Sequence, residues 1–151
     1  MTGVYFYHLE QQPLEKVLPR LLVATLERGW RAVIQAGSED RCEALSSLLW
    51  TFDEAAFVPH GTAADGRAAL QPIWLTPVDE NPNSANVRFF VDGARPATVD
   101  GLERAMILFD GADESAVTAS REDWKRFKAE GHAISYWQQD EAGRWQNRAG
   151  G

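Results

Sequence analysis

Short, β-rich apolar runs alternate along this chain with stretches whose apolar residues return every three or four positions. Strand side chains repeat every two residues and helix side chains every 3.6 or so, so the alternation assigns element types directly. A chain that reads strand, helix, strand has few solutions. The common one is an α/β domain with a largely parallel central sheet and helices on both faces. VYFYHL, from Val4 to Leu9, is the first strand-like run, and Gln11, Gln12 and Pro13 break it. Leu14, Val17, Leu18, Leu21, Leu22 and Leu26 then share one helical face. Pro13 suits the start of that helix and Gly29 its stop. Pro19 lies inside it. An interior proline costs about 3 kcal/mol, which predicts a kink there or a helix that begins near Leu18.

The pattern continues. Arg31 to Gly37 reads as a strand, and Ser38 reads as an N-cap followed by the acidic first turn Glu39 and Asp40. The helix is expected from Glu39 to about Phe52, with Cys42, Leu45, Leu48 and Leu49 inward. Pro72–Thr76, Val87–Asp92 and Met106–Asp110 are further strands, and Val99–Ala105 a short helix. Asp113–Glu130 is a helix stopped by Gly131, and His132–Trp137 the last regular strand. The expected organisation is a single three-layer α/β domain over residues 1–138 and a polar C-terminal tail over 139–151, which contains Trp145.

Composition narrows the function classes. The chain has 151 residues, 44 % hydrophobic and 25 % charged, which is ordinary globular composition and one domain's length. One cysteine makes no internal disulfide, and no apolar run approaches the roughly 20 residues that span a bilayer. The first residues lack the basic start and cleavage site of a signal peptide, so a cytoplasmic protein without membrane contact is expected. The net charge of −7 opposes wrapping of duplex DNA, whose binding rests on phosphate contacts. Direct nucleic-acid contact is expected to be weak or indirect.

Enzymatic constellations are sparse. No GxGxxG or GxxxxGK[ST] is present. The turn Ala36-Gly37-Ser38-Glu39 has the form of a one-phosphate site at a helix N-terminus, but it is also an ordinary strand–helix turn. Asp110-Gly-Ala-Asp-Glu114 lacks the remaining ligands of a calcium loop and reads better as helix capping. His8, His60 and His132 share no metal-ligand spacing, and Cys42 falls on an apolar helix face. No catalytic residue, metal or cofactor is expected. Two other readings remain open. One is a small nucleotide-binding α/β enzyme built on the Gly37-Ser38 turn. The other is a direct single-stranded DNA binder using Trp and Arg stacking.

The helix from Asp113 carries more information. At 100° per residue, Val117, Arg121, Trp124 and Lys128 fall within roughly 60° of one another, with Lys125 beside them. Ala116, Ser120 and Phe127 occupy the neighbouring sector and face the core. In a chain of net charge −7, this stripe is a local reversal of sign. Its residue types fit an acidic partner with an apolar anchor: cations for a carboxylate, indole and valine for a buried side chain.

Several segments together resemble the chi subunit family of bacterial DNA polymerase III. They are Leu49-Trp50 followed by Phe57-Val58-Pro59-His60, the strand end Leu108-Phe109-Asp110-Gly111, and Arg121-Glu122-Asp123-Trp124-Lys125. The final run His132-Ala-Ile-Ser-Tyr-Trp137 belongs with them. The resemblance implies a nucleotide-binding-like (Rossmann-like) fold without a phosphate loop. It also implies a non-catalytic replicase subunit that links the clamp loader, through a psi-like subunit, to single-stranded DNA-binding protein. The family recognises that protein's acidic C-terminal tail, which ends in an aromatic residue and a free carboxylate. The residues implied for this are Trp50, Phe57, Arg121, Trp124 and Lys125. Trp124 stands where some relatives have tyrosine, and Val117 where some have lysine. Lys128 is placed to substitute for that missing cation.

Overall fold

The computed structural model describes residues 2–52 and 58–148. In chain order the elements are β1 (Gly3–Leu9), α1 (Leu14–Glu27), β2 (Ala32–Gln35), α2 (Glu39–Thr51), β3 (Ile73–Thr76) and β4 (Val87–Phe90). β5 (Arg104–Asp110), α3 (Glu114–Ala129), β6 (Ala133–Gln139) and β7 (Trp145–Asn147) follow. The strands form one seven-stranded sheet in the order β3-β2-β4-β5-β1-β6-β7, parallel except for β7. β1 lies between β5 and β6, with Phe6 opposite Ile107 and Tyr136.

Alternation along the strands builds two cores. Tyr7, Leu9, Met106 and Leu108 join the α1 and α2 side chains on one face. Val4, Phe6, Ala105, Ile107 and Phe109 join Phe127 of α3 on the other. Both faces of the middle strands are therefore covered, which is why Ala105 to Phe109 is an unbroken buried run. The three-layer α/β architecture expected from the alternation is the one formed.

Local chemistry sets the helix ends. Ser38 Oγ accepts from the Arg41 N–H at 3.2 Å. Asp113 Oδ1 accepts from the Ser115 and Ala116 N–H groups, and Asp110 Oδ1 from that of Ala112. Asp113 thus caps α3, as expected of this acidic run, and Asp110 closes the turn before it. α3 is held laterally by Asp123, whose side chain is 3 % exposed and which pairs with Arg95 at 2.8 Å and Arg126 at 3.2 Å. Arg126 also donates to the Pro96 carbonyl at 2.6 Å, so Asp123 ties α3 to the loop before β5. Hydrogen bonds to charged groups contribute about 1.5–3 kcal/mol, and half-exposed arginines lower that figure. Asp123→Ala is therefore expected to cost about 2 kcal/mol in urea denaturation. An unchanged midpoint would show that the loop is held without it.

Three expectations are corrected. Val99–Ala105 is not a helix: Gly101 takes φ +82°, and Arg104 and Ala105 already pair with β1 and β4. The later start near Leu18 is not taken: α1 starts at Leu14 and runs through Pro19, which is buried in the second turn, where it forfeits a single ladder bond. His132–Trp137 is not the last strand. Asp140 accepts from the Ala142 and Arg144 N–H groups, Gly143 takes φ +83°, and the chain returns as β7 antiparallel to β6. Trp145 then meets Tyr7 edge-on at 5.1 Å.

Candidate functional site

α3 packs through one stripe and leaves its flanks for other work. Ser120, Asp123 and Phe127 are buried, and Ala116 is half-buried. On the flank facing β6, Val117 and Trp124 lean against the core beside Ile134 and Tyr136 and stay half-exposed. The Lys128 ammonium sits 4.5 Å from the centre of the Trp124 ring, a cation–π contact that leaves its charge available. Arg121 and Lys125 are exposed and make no hydrogen bond or ion pair among the described residues. The opposite flank differs. Arg126 is bound to Asp123, as is Arg95 from the facing loop. The helix consumes its cations on one side and presents them on the other, around an indole.

The sequence-derived candidates divide accordingly. Val117, Arg121, Trp124, Lys125 and Lys128 are brought together on this flank. Trp50 is not with them. It lies near the end of α2, on the other face of the sheet, 59 % exposed, with its ring 4.8 Å from that of His60. Phe57 lies outside the described residues. His60 is fully engaged: Nδ1 donates to the Val58 carbonyl at 2.6 Å, and Nε2 meets Ser46 Oγ at 3.0 Å. It fastens the loop to α2, in keeping with a loop-fixing histidine.

Sequence reading passed over the neighbours of the stripe. Tyr136 Oη lies 2.6 Å from His8 Nδ1, and His8 Nε2 lies 2.8 Å from Glu10 Oε1. The three make a polar chain along the top of β1 and β6, with Phe109 5.2 Å from the His8 ring. Burial raises the Tyr136 pKa above the ordinary phenol value; the positive charge of Arg121 opposes the shift and Glu10 adds to it. A β-carbon at Gly111 would collide with the His8 imidazole, so the small residue after β5 is what lets His8 stand there. The alternation of β6, with Ile134 and Tyr136 on one face and Trp137 on the other, was the available signal.

A second feature opens at the carboxyl ends of β1 and β5. β1 leads to α1 on one face and β5 to α3 on the other, which is the topological switch point of a doubly wound sheet. The cleft there has a volume of about 640 Å³. Glu10, Glu15, Asp92, Asp110, Asp113 and Asp123 line it against only Arg41 and Arg95. Both arginines are bound by carboxylates, Arg41 by Asp92 at 2.8 Å and Arg95 by Asp123. The Gly37-Ser38 turn stands beside it, and a β-carbon at Gly37 would lie 3.1 Å from the Asp92 carbonyl. An anionic rim at this place repels a nucleotide's phosphates.

Fold and surface together define a class: a three-layer, doubly wound α/β domain with a group of unpaired cations around a tryptophan on the helix α3. Within that class the particular family follows from comparison. The family model for the DNA polymerase III chi subunit, HolC, matches residues 1–135, and the chain belongs to that family. It is also similar to a probable DNA polymerase III subunit chi of Rickettsia prowazekii (strain Madrid E), with 32 % identity over 87 residues. That match takes in 58 % of this chain and about half, 53 %, of the relative's length.

Proposed function

We propose that this chain is an accessory subunit of the bacterial replicase. It links the clamp loader to single-stranded DNA-binding protein by receiving that protein's acidic C-terminal tail on α3. The observation that supports this most is the state of the cations. Arg121 and Lys125 have no partner among the described residues, while the arginines on the other flank are spent on Asp123. A half-exposed indole lies between them.

The mechanism follows from those groups. Long-range attraction draws the acidic tail to the stripe and weakens as salt screens it. Arg121 takes the terminal carboxylate in a two-pronged hydrogen bond. The terminal aromatic buries against Trp124 and Val117, worth roughly 1.5–3 kcal/mol before the tail's ordering cost. Affinity on the order of micromolar follows. Trp50, across the sheet, takes no part in that contact. Its exposed face belongs to a different surface.

The test is titration with a peptide copying the acidic tail. Arg121→Ala and Trp124→Ala are each expected to weaken binding by at least about 1 kcal/mol, as is removal of the peptide's terminal aromatic. Added salt is expected to weaken it further. If the wild-type protein ignores the peptide at low salt, the reading fails.

A further inference from the structure

The C-terminal segment folds back beside α3. The chain turns at Asp140, and β7 pairs with β6, Trp137 opposite Asn147 and Gln138 opposite Gln146. One residue beyond the strand, the Arg148 N–H donates to the Tyr136 carbonyl at 2.6 Å, which sets Arg148 opposite Tyr136. Directly opposed residues of an antiparallel pair project to the same face of the sheet. Tyr136 stands on the α3 face with Ile134 and Phe109. Alternation along β7 agrees. Trp145 meets Tyr7 on the other face, so Arg148, three residues on, takes the face of α3.

α3 ends at Ala129 and β6 begins at Ala133, so the two run antiparallel from a short turn. Arg121 stands eight residues before Ala129, about 12 Å along the helix. Tyr136 stands three residues after Ala133, about 10 Å along the strand. Arg121, Tyr136 and Arg148 are therefore level. Ile134 and Tyr136, both half-buried, form the floor between the two arginines. The 2.6 Å hydrogen bond to His8 holds the Tyr136 ring in place. Arg148 is exposed, and its guanidinium makes no hydrogen bond or ion pair among the described residues. Arg121 and Lys125 are in the same state on the helix side. Glu10, at the upper end of the floor, is engaged by His8 at 2.8 Å and by Gln138 at 3.5 Å.

We infer that Arg148 forms a second cationic wall of the tail site, so that the acidic tail lies in a trough between α3 and the β6–β7 hairpin, over Ile134 and Tyr136. The inference rests on the reading of α3 as the seat of the tail and adds the residues of its far side. Charge complementarity selects the occupant. An extended peptide turns successive side chains to opposite edges. A single wall on α3 meets only the carboxylates on one edge, and Arg148 meets those on the other. Unpaired cations on both sides of an apolar floor attract an acidic chain with an apolar anchor and discriminate against a basic one. Arg148 lies outside residues 1–135, which match the family model, so this wall comes from the C-terminal hairpin of this chain. Trp145, edge-on to Tyr7 at 5.1 Å, fastens that hairpin and so positions the arginine.

The test titrates the full chain with a fluorescent copy of the acidic tail across a series of salt concentrations. Arg148→Ala is expected to weaken binding about three- to fivefold, the scale of one exposed ion pair, and to flatten the salt dependence. Arg148→Glu is expected to weaken it at least about tenfold, because it sets like charge against the tail. Arg148→Lys keeps the charge and is expected to keep most of the affinity and the wild-type salt dependence. The Arg148 side chain is exposed and its pairing to β6 is through the backbone, so these variants keep the fold. Arg121→Ala is the reference. If it weakens binding while Arg148→Ala and Arg148→Glu bind as tightly as the wild type, the second wall is overturned and the α3 reading stands. If the wild type does not bind the peptide at low salt, the α3 reading fails and the second wall fails with it.

Discussion

Phe127→Ala is expected to lower the free energy of unfolding by about 3–5 kcal/mol, the range for a buried phenylalanine cut to alanine. The ring is completely buried, the one side chain of α3 that is so, and it fills the space between β5, β1 and the helix. The Arg126 guanidinium lies 4.4 Å from its centre and the His132 ring 6.1 Å away. Domains of this size have only about 5–15 kcal/mol in total, so the variant stands near the edge of folding. Urea denaturation followed by tryptophan fluorescence measures it. A loss below about 1 kcal/mol, the scale of a surface change, would mean that α3 is anchored by Asp123 alone. Trp124→Ala offers the contrast: it truncates a half-exposed ring, so it should cost binding of the tail peptide more than it costs stability.

Alkali should unfold the protein well before it touches the carboxylate network. Burial pushes the Tyr7 phenol from 10.0 up to about 12, and the Cys42 thiol from 9.0 up to about 11. Tyr7 is packed between Trp137, stacked at 6.4 Å, and Trp145. Cys42 is 3 % exposed on the inner face of α2. The unfolded chain gives up both protons at lower pH than the native one. The native state therefore holds more protons between about pH 9 and 12, and stability falls with rising pH in that window. The contribution is complete below the unfolded values and lost as pH passes the native ones. A two-unit shift corresponds to about 2.7 kcal/mol per group. Tyr7→Phe should flatten the decline by about half, since it removes one of two comparable groups. Denaturation midpoints measured across this range decide it, and a wild-type midpoint that does not move between pH 9 and 11 would refute the assignment.

Much of this was legible in the residues because it depends on near neighbours. Ser38 and Asp113 mark helix starts because their side-chain oxygens reach N–H groups two or three residues on. The burial of Leu45, Leu49 and Phe127 follows from spacing alone, as does the grouping of Val117, Arg121, Trp124 and Lys128 on one flank. The failures are equally local in cause. Val99–Ala105 reads as a short helix, but Gly101 turns the chain left-handed inside it, and Val99 and Leu102 are buried from a turn instead. β7 is three residues long, too short for a pattern, and exists because Trp145 finds Tyr7 across the chain.

The amino-acid order by itself determined the alternation of strands and helices, the layered architecture and the angular grouping on α3, since each is set within a turn or two of backbone. Only the tertiary structure decided which cations are spent and which are free. It decided that the helices bearing Trp50 and Trp124 lie on opposite faces of the sheet, and that Asp100 arrives beside His132. Those outcomes depend on which strands become neighbours, and β1 pairs with β5 and β6 across about a hundred residues of intervening chain, a choice made by the whole core at once.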